Sequence, residues 1–290
     1  MTRSRDLERP SLPGYSEGES RDLASTLGGF TTSLVAAEYE NINVSSWWAA
    51  SGTFVVAGDL PYVLTAHHVL YGGEGKPGLL SMDGWKNKRI GIWANRSRYD
   101  QPYYPPTFPE PVVIGEPLGS SSVKGPDLAA LRMPQSVKAA VDRGVKRFYN
   151  LDLHQYDLTK ETRDQTADLF LVGLPYIASR PLEGGGWIRL CHVGIVKLVR
   201  HFHKCDFCYV EAAVSSGPIS IAPKDLQGMS GGGLWAVQRS DAGFKITLVG
   251  VPFYQSARKG DTRIVRCHGP HDIYGRARAI LGKKLPKKER

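Results

Sequence analysis

Glycine and proline cut this chain into short pieces, and that punctuation limits what it can fold into. With 32 glycines and 19 prolines among 290 residues, turns are frequent and long helices are disfavoured. The pieces left between the breaks are short, β-branched or aromatic, and bounded by Gly, Asp or Pro. In the first half they are Phe30 to Ala36, Gly52 to Ala57, Tyr62 to Ala66, Lys88 to Ala94, Pro111 to Ile114 and Leu128 to Met133. Arg96 to Pro109 holds four prolines and reads as a loop.

Residues 134 to 166 are polar and locally helix-compatible. A second series of strand-like pieces comes after them: Leu169 to Leu174, Trp187 to His201, Phe207 to Val214, Gly233 to Val237, Ile246 to Phe253 and Arg263 to Cys267. Asp272 to Leu281 ends the pattern, with Ile273, Ala277, Ile280 and Leu281 on one helical face. Two strand sets joined by a connection make an all-β chain. Nothing repeats at a fixed period, which excludes a solenoid.

The expected organisation has five parts. Residues 1–28 form a polar, loosely ordered tail and 29–135 the first strand set. Residues 136–166 are the linker, 167–270 the second set, and 271–290 a terminal helix with a basic tail. The net charge is +9, and five of the last eight residues, Lys283 to Arg290, are basic. Such an end reads as a solvated tail. No aromatic-basic motif of a nucleic-acid module accompanies it, so nucleic acid is not an expected partner.

No apolar stretch approaches the roughly 20 residues that span a bilayer, and no membrane partner is expected. The first 26 residues carry four arginines and no apolar segment of a secretion signal. Cys191, Cys205, Cys208 and Cys267 are too few for a disulfide-stapled secreted scaffold. The expected location is the cytoplasm, with reduced thiols. The sequons at Asn43 and Asn95 then carry no meaning.

Three segments carry chemistry: Leu64-Thr65-Ala66-His67-His68-Val69, Asp127-Leu128-Ala129-Ala130-Leu131, and Gln227-Gly228-Met229-Ser230-Gly231-Gly232-Gly233-Leu234. A serine hydroxyl needs a hydrogen-bonded base to become a nucleophile at neutral pH. Histidine suits that task. A carboxylate on the far side of the ring fixes its tautomer and stabilises the imidazolium. Glycines beside the serine allow a sharp turn that aims amide protons at a developing oxyanion.

Singly, each segment is also compatible with a plain turn, loop or strand start. Jointly and in this order, they resemble the chymotrypsin-like (trypsin-like) serine proteases, with motifs T-A-x-H, D-[IL]-A-L-[IL] and G-x-S-G-G. The resemblance runs from about residue 30 to 282. It implies two six-stranded antiparallel β-barrels with a C-terminal helix, the triad lying in the cleft between them. Carried over by motif, His68 is the general base, Asp127 orients it and Ser230 is the nucleophile. The amides of Gly228 and Ser230 form the oxyanion hole, and His67 faces away. The barrels then correspond to residues 29–135 and 167–270. The activity implied is a serine endopeptidase forming an acyl-enzyme, with no cofactor and a protein or peptide substrate.

Three departures matter. Met229 stands where secreted members have the Asp that pairs with a newly cut N-terminus. Gly233 replaces the usual proline, and no zymogen-like cleavage site is present. The first and third argue against activation by cleavage. With no export signal, the resemblance points to an intracellular prokaryotic member, restrained by narrow specificity or by a regulatory protein partner.

Family positions also imply a specificity pocket of Lys224, Asp225, Tyr254, Gln255 and Arg263. Lys224 favours an acidic residue before the scissile bond and Asp225 argues the other way. Two rival readings stay open: a non-catalytic binding module on the same fold, and an α/β-hydrolase-type esterase, because GMSGG also satisfies G-x-S-x-G. His201, His203, Cys205 and Cys208 are of zinc-ligand type. A second ligand pair is missing from the sequence pattern, so the expectation is a polar hairpin tip and no metal.

Overall fold

Among the described residues, fifteen strands and a few short helices make an all-β architecture. The computed structural model describes residues 12–38, 48–73, 78–80, 88–92, 110–116, 126–142, 146–154, 167–175, 179–182, 186–189, 191–215, 226–257 and 259–283. In the first half run β1 (Thr31–Glu38), β2 (Trp48–Ala57), β3 (Leu60–Thr65), β4 (Lys88–Ile92), β5 (Glu110–Gly115), β6 (Leu128–Arg132) and β7 (Tyr149–Asn150). They form one sheet in the order β4-β1-β2-β3-β6-β5, with β7 pairing β2 in parallel.

The second half holds β8 (Asp168–Gly173), a small hairpin of β9 (Ser179–Leu182) and β10 (Gly186–Arg189), and then β11 (His192–Lys204) and β12 (Phe207–Ser215). β13 (Gly233–Ser240), β14 (Gly243–Gln255) and β15 (Thr262–His268) complete it. Six of these strands close into a barrel in the order β11-β12-β15-β14-β13-β8. The architecture agrees with the expected two-barrel class. It differs in one respect: among the described residues the first half is a seven-stranded sheet, and only the second half closes.

Alternation explains how the two halves share their cores. Successive side chains of a strand point to opposite faces. On β3, Tyr62 and Leu64 enter the core that contains Phe170, Trp235 and Leu248 of the barrel strands. Val63 points the other way, into a core with Phe54, Ala129 and Leu131. β3 is therefore buried along almost its whole length, which anchors the residues at its C-terminal end.

The N-terminal region corrects an expectation. Residues 1–28 read as a loose tail, yet Glu17–Gly29 form a helix, α1. Ser16-Glu17-Gly18-Glu19 is a capping box: Ser16 Oγ accepts from the Glu19 amide, and Glu19 Oε2 accepts from the Ser16 amide. Leu23 and Leu27, four apart on one face, are fully buried in the shared core. The linker region likewise contains α3 (Gln135–Asp142) and β7.

The chain closes on helix α4, π-wound over His271–Ala277 and α-helical over Arg278–Leu281, near the range expected for a terminal helix. Tyr62 Oη donates to the Leu281 carbonyl at 2.7 Å and Tyr274 Oη to the Leu248 carbonyl at 2.9 Å, so α4 grips both halves. Among the described residues, no helix is long and apolar enough to cross a membrane.

Because α1 supplies core and not tail, Leu23→Ala or Leu27→Ala should each cost about 2–5 kcal/mol. Urea unfolding should show a lower midpoint at unchanged slope. An unchanged midpoint in both variants would mean that α1 does not pack as described.

Candidate active site

His68 owes its position to the end of β3. The strand stops at Thr65, Ala66 is extended, and His67–Tyr71 make one short helix, α2. Ala66 provides no side-chain cap. Asp127, arriving just before β6, does so instead. Its Oδ1 accepts the His68 backbone N–H at 2.8 Å, and its Oδ2 lies 2.6 Å from His68 Nδ1. One carboxylate thus fixes both the backbone and the ring of the same histidine.

That geometry assigns the tautomer. An ionised carboxylate only accepts, so His68 Nδ1 carries the proton of this contact, and in the neutral ring Nε2 is the nitrogen with the free lone pair. Asp127 is fully buried, whereas the His68 side chain is 25% exposed. The ring is therefore held by a buried carboxylate while part of the side chain reaches solvent. His67 turns the other way: it is buried, stacks on Tyr71 at 4.5 Å, and its basicity is lowered mainly by burial.

The backbone of Asp127 is held from the opposite half. Its N–H donates to His268 Nε2 at 2.8 Å, at the end of β15. Since that nitrogen accepts, His268 Nδ1 bears the proton and donates to Asp272 Oδ2 at 2.8 Å. Asp272 in turn accepts the Cys208 N–H at 3.1 and 3.2 Å. His268 and Asp272 are both fully buried. A second His–Asp pair thus backs the first.

Ser230 lies in the turn that precedes β13, and the glycines around it are fixed by what they touch. Gly228 and Gly231 have φ of 92° and 86°, the left-handed region that favours glycine. A side chain on Gly231 would collide with Thr65 Oγ1 and the Ser51 carbonyl, both in the first sheet. One on Gly232 would meet the Val172 carbonyl of β8. The serine turn is therefore wedged into the seam between the halves, against the strand that leads to His68.

Hydrogen bonds secure the wedge. Gly231 N–H donates to the Pro252 carbonyl at 2.8 Å, and Thr53 Oγ1 donates to the Gly231 carbonyl at 3.2 Å. Ser51 Oγ donates to the Gly228 carbonyl at 2.6 Å while accepting the Leu174 N–H at 2.8 Å. Met229 is buried, its sulfur against Gly173, and packs in the apolar core of the barrel. Apolar burial and neutral hydrogen bonds thus hold the serine turn. Ser230 itself is half-buried. Among the described residues no hydrogen bond joins its Oγ to His68, a step that commonly tightens only when substrate arrives.

The pocket residues divide. Lys224 and Asp225 lie outside the described residues. Gln255 Oε1 accepts the Leu226 N–H at 3.3 Å and so steadies the approach to the serine turn. Tyr254 is half-buried beneath the Arg266 guanidinium, 5.5 Å from its ring centre. Arg263 pairs with Val214 between β15 and β12. The esterase rival fails on topology: Ser230 leads into an antiparallel strand, β13, and not from a parallel strand into a helix.

Ser51, Thr53, His268 and Asp272 were not singled out for this site from sequence. The signal for the first two was present, since polar residues alternate within the otherwise apolar run of β2.

Neither a protein-family model nor a curated protein matches the chain. Solved structures do match, among them the crystal structure of a thermostable serine protease from an extremophilic microorganism. It is 12% identical, covers 87% of this chain and 97% of its own, and superposes with a TM-score of 0.44.

Removing His268 leaves the Asp127 amide and the Asp272 carboxylate short of a partner in a dry interior. Each orphaned group costs about 1–3 kcal/mol. His268→Ala should lower unfolding stability by at least about 2 kcal/mol and quicken hydrogen exchange at the Asp127 amide. Unaltered exchange there would show that the bond does not hold Asp127.

Proposed function

We propose that the protein is a serine endopeptidase. Ser230 attacks the scissile carbonyl, His68 Nε2 takes the hydroxyl proton, and Asp127 stabilises the imidazolium that results. The amide protons of Gly228 and Ser230 receive the developing oxyanion. The observation that carries this reading is the double grip of Asp127 on His68. It commits Nδ1 of a partly exposed ring to a buried carboxylate, so that in the neutral ring Nε2 is the nitrogen able to accept a proton.

The chemistry stems from that asymmetry. Proton transfer from Ser230 creates a cation at His68, 2.6 Å from a carboxylate with no solvent around it. In a desolvated setting such a pair is worth far more than in water. The protonated Nε2–H then delivers the proton to the leaving amine, and water enters as the second nucleophile. A peptide or protein is the substrate. With Met229 buried in place of a charge, the serine turn needs no newly cut N-terminus to order it. Restraint then falls to narrow specificity or to a regulatory partner.

The open step between Ser230 and His68 favours one other reading, a binding module that kept the fold. A binding surface gains nothing from a buried carboxylate fixed to a part-exposed imidazole.

Reaction with a fluorophosphonate probe separates the two. Wild-type protein should be labelled and Ser230→Ala should not. His68→Ala and Asp127→Asn should each lower peptide or ester hydrolysis by several orders of magnitude, on the order of 10⁴-fold for the aspartate, while remaining folded. His67→Ala should keep turnover. Loss of turnover in His67→Ala but not in His68→Ala would reassign the base. A probe that ignores the wild-type protein would favour the binding module.

A further inference from the structure

The tip of the β11–β12 hairpin gathers three soft ligands that the triad does not use. His201 and His203 stand two apart on β11, so both project from one face of the strand. Across the ladder, His203 pairs directly with Cys208 of β12. The turn between them is only Cys205 and Asp206, both with positive φ (49° and 62°), which folds the strands back tightly. His201 Nε2 comes within 2.8 Å of Cys208 Sγ, and one ligand atom from each of His201, His203 and Cys208 lies within 4.8 Å of the others.

We propose that His201, His203 and Cys208 bind a divalent metal ion of the zinc class. Two imidazoles and one thiolate form a nitrogen–sulfur set suited to a borderline-soft ion, and three protein ligands leave a fourth position open to solvent. Both histidines are exposed, which gives the ion a path in, while Cys208 is buried and fixed beneath them. The floor of the site is rigid. The Cys208 N–H is held by Asp272, its carbonyl accepts the Gly269 N–H at 2.7 Å, and both partners flank the start of α4. On binding, the thiol proton passes to solvent and the sulfur bonds to the metal.

Cys205 is not part of this set. It occupies the exposed apex of the turn, so the cluster anticipated from sequence keeps three members. His271 adds a further imidazole at the rim, its ring 6.1 Å from that of His203. Neither the exposed Cys191 nor the fully buried Cys267 belongs to the group.

The inference is independent of the proteolytic reading, and its test uses no substrate. The full-length protein is titrated with Zn²⁺ alone and, in parallel, with Co²⁺, whose thiolate complexes show a ligand-to-metal absorption band in the near ultraviolet. Wild type should retain close to one equivalent of zinc after dialysis, gain the cobalt–thiolate band, and melt at a higher temperature with zinc than without. His203→Ala, an exposed change that spares the fold, should lower zinc affinity at least tenfold. Cys208→Ser should abolish the cobalt–sulfur band while leaving the far-ultraviolet circular dichroism intact. Should Cys208→Ser not fold, His201→Ala with His203→Ala serves in its place and should lose the band. A wild-type protein that binds no zinc after dialysis and shows no cobalt–thiolate band overturns the proposal. So does zinc binding that is equally tight in wild type and in His201→Ala with His203→Ala.

Discussion

The site depends on one buried carboxylate that belongs to both halves of the molecule. Asp127 sits where no water reaches it, so its charge is tolerable only because its oxygens are used: one by the backbone of His68, one by the ring. Its own amide is tied to His268, across the seam. Asp127 thus joins the two halves through its own hydrogen bonds, alongside the Ser51 and Thr53 bonds across the same seam. Behind it, His268, Asp272 and the Cys208 amide extend the connection into the hairpin and helix α4. Each member is held by the next, and the His68 side chain at the end of the series is only part-exposed.

The glycines of the serine turn answer the same constraint from the other side. Gly231 is pressed against the first sheet and Gly232 against β8, leaving no room for a β-carbon at either. Two surfaces from different halves meet at consecutive residues, and Ser230 precedes both. Ser51 joins the two surfaces with one hydroxyl, donating to Gly228 and accepting from Leu174. Short neutral contacts of this kind resist salt and modest pH change better than an exposed ion pair does. That suits a serine turn whose central side chain is the buried, uncharged Met229.

Much of this was legible in the sequence because it is written in local terms. Strand positions stem from short apolar runs between Gly and Pro, and the segments expected at Tyr62 to Ala66, Leu128 to Met133 and Phe207 to Val214 lie close to β3, β6 and β12. The pairing of His68 with Asp127 came from motifs and not from any local rule, since 59 residues separate the two. The N-terminal helix was missed although its capping box is visible at Ser16 and Glu19, because polar residues outweigh Leu23 and Leu27 in that stretch. The His268–Asp272 pair escaped for another reason. Its partner, the Asp127 amide, lies 141 residues away, and a backbone group leaves no mark in a sequence. At the hairpin tip, the spacing drew attention to Cys205, but a two-residue turn puts it at the apex and brings His201 and His203 over Cys208 instead.

The most direct measurement is a crystal structure of the wild-type protein after reaction with a small fluorophosphonate. Phosphorus should be bonded to Ser230 Oγ, with a phosphoryl oxygen within hydrogen-bond reach of the Gly228 and Ser230 amides, and His68 Nε2 should face the adduct with Asp127 still bound to Nδ1. An unmodified Ser230, or an adduct whose oxygen points away from those amides while His68 turns from the serine, would contradict the proposed triad.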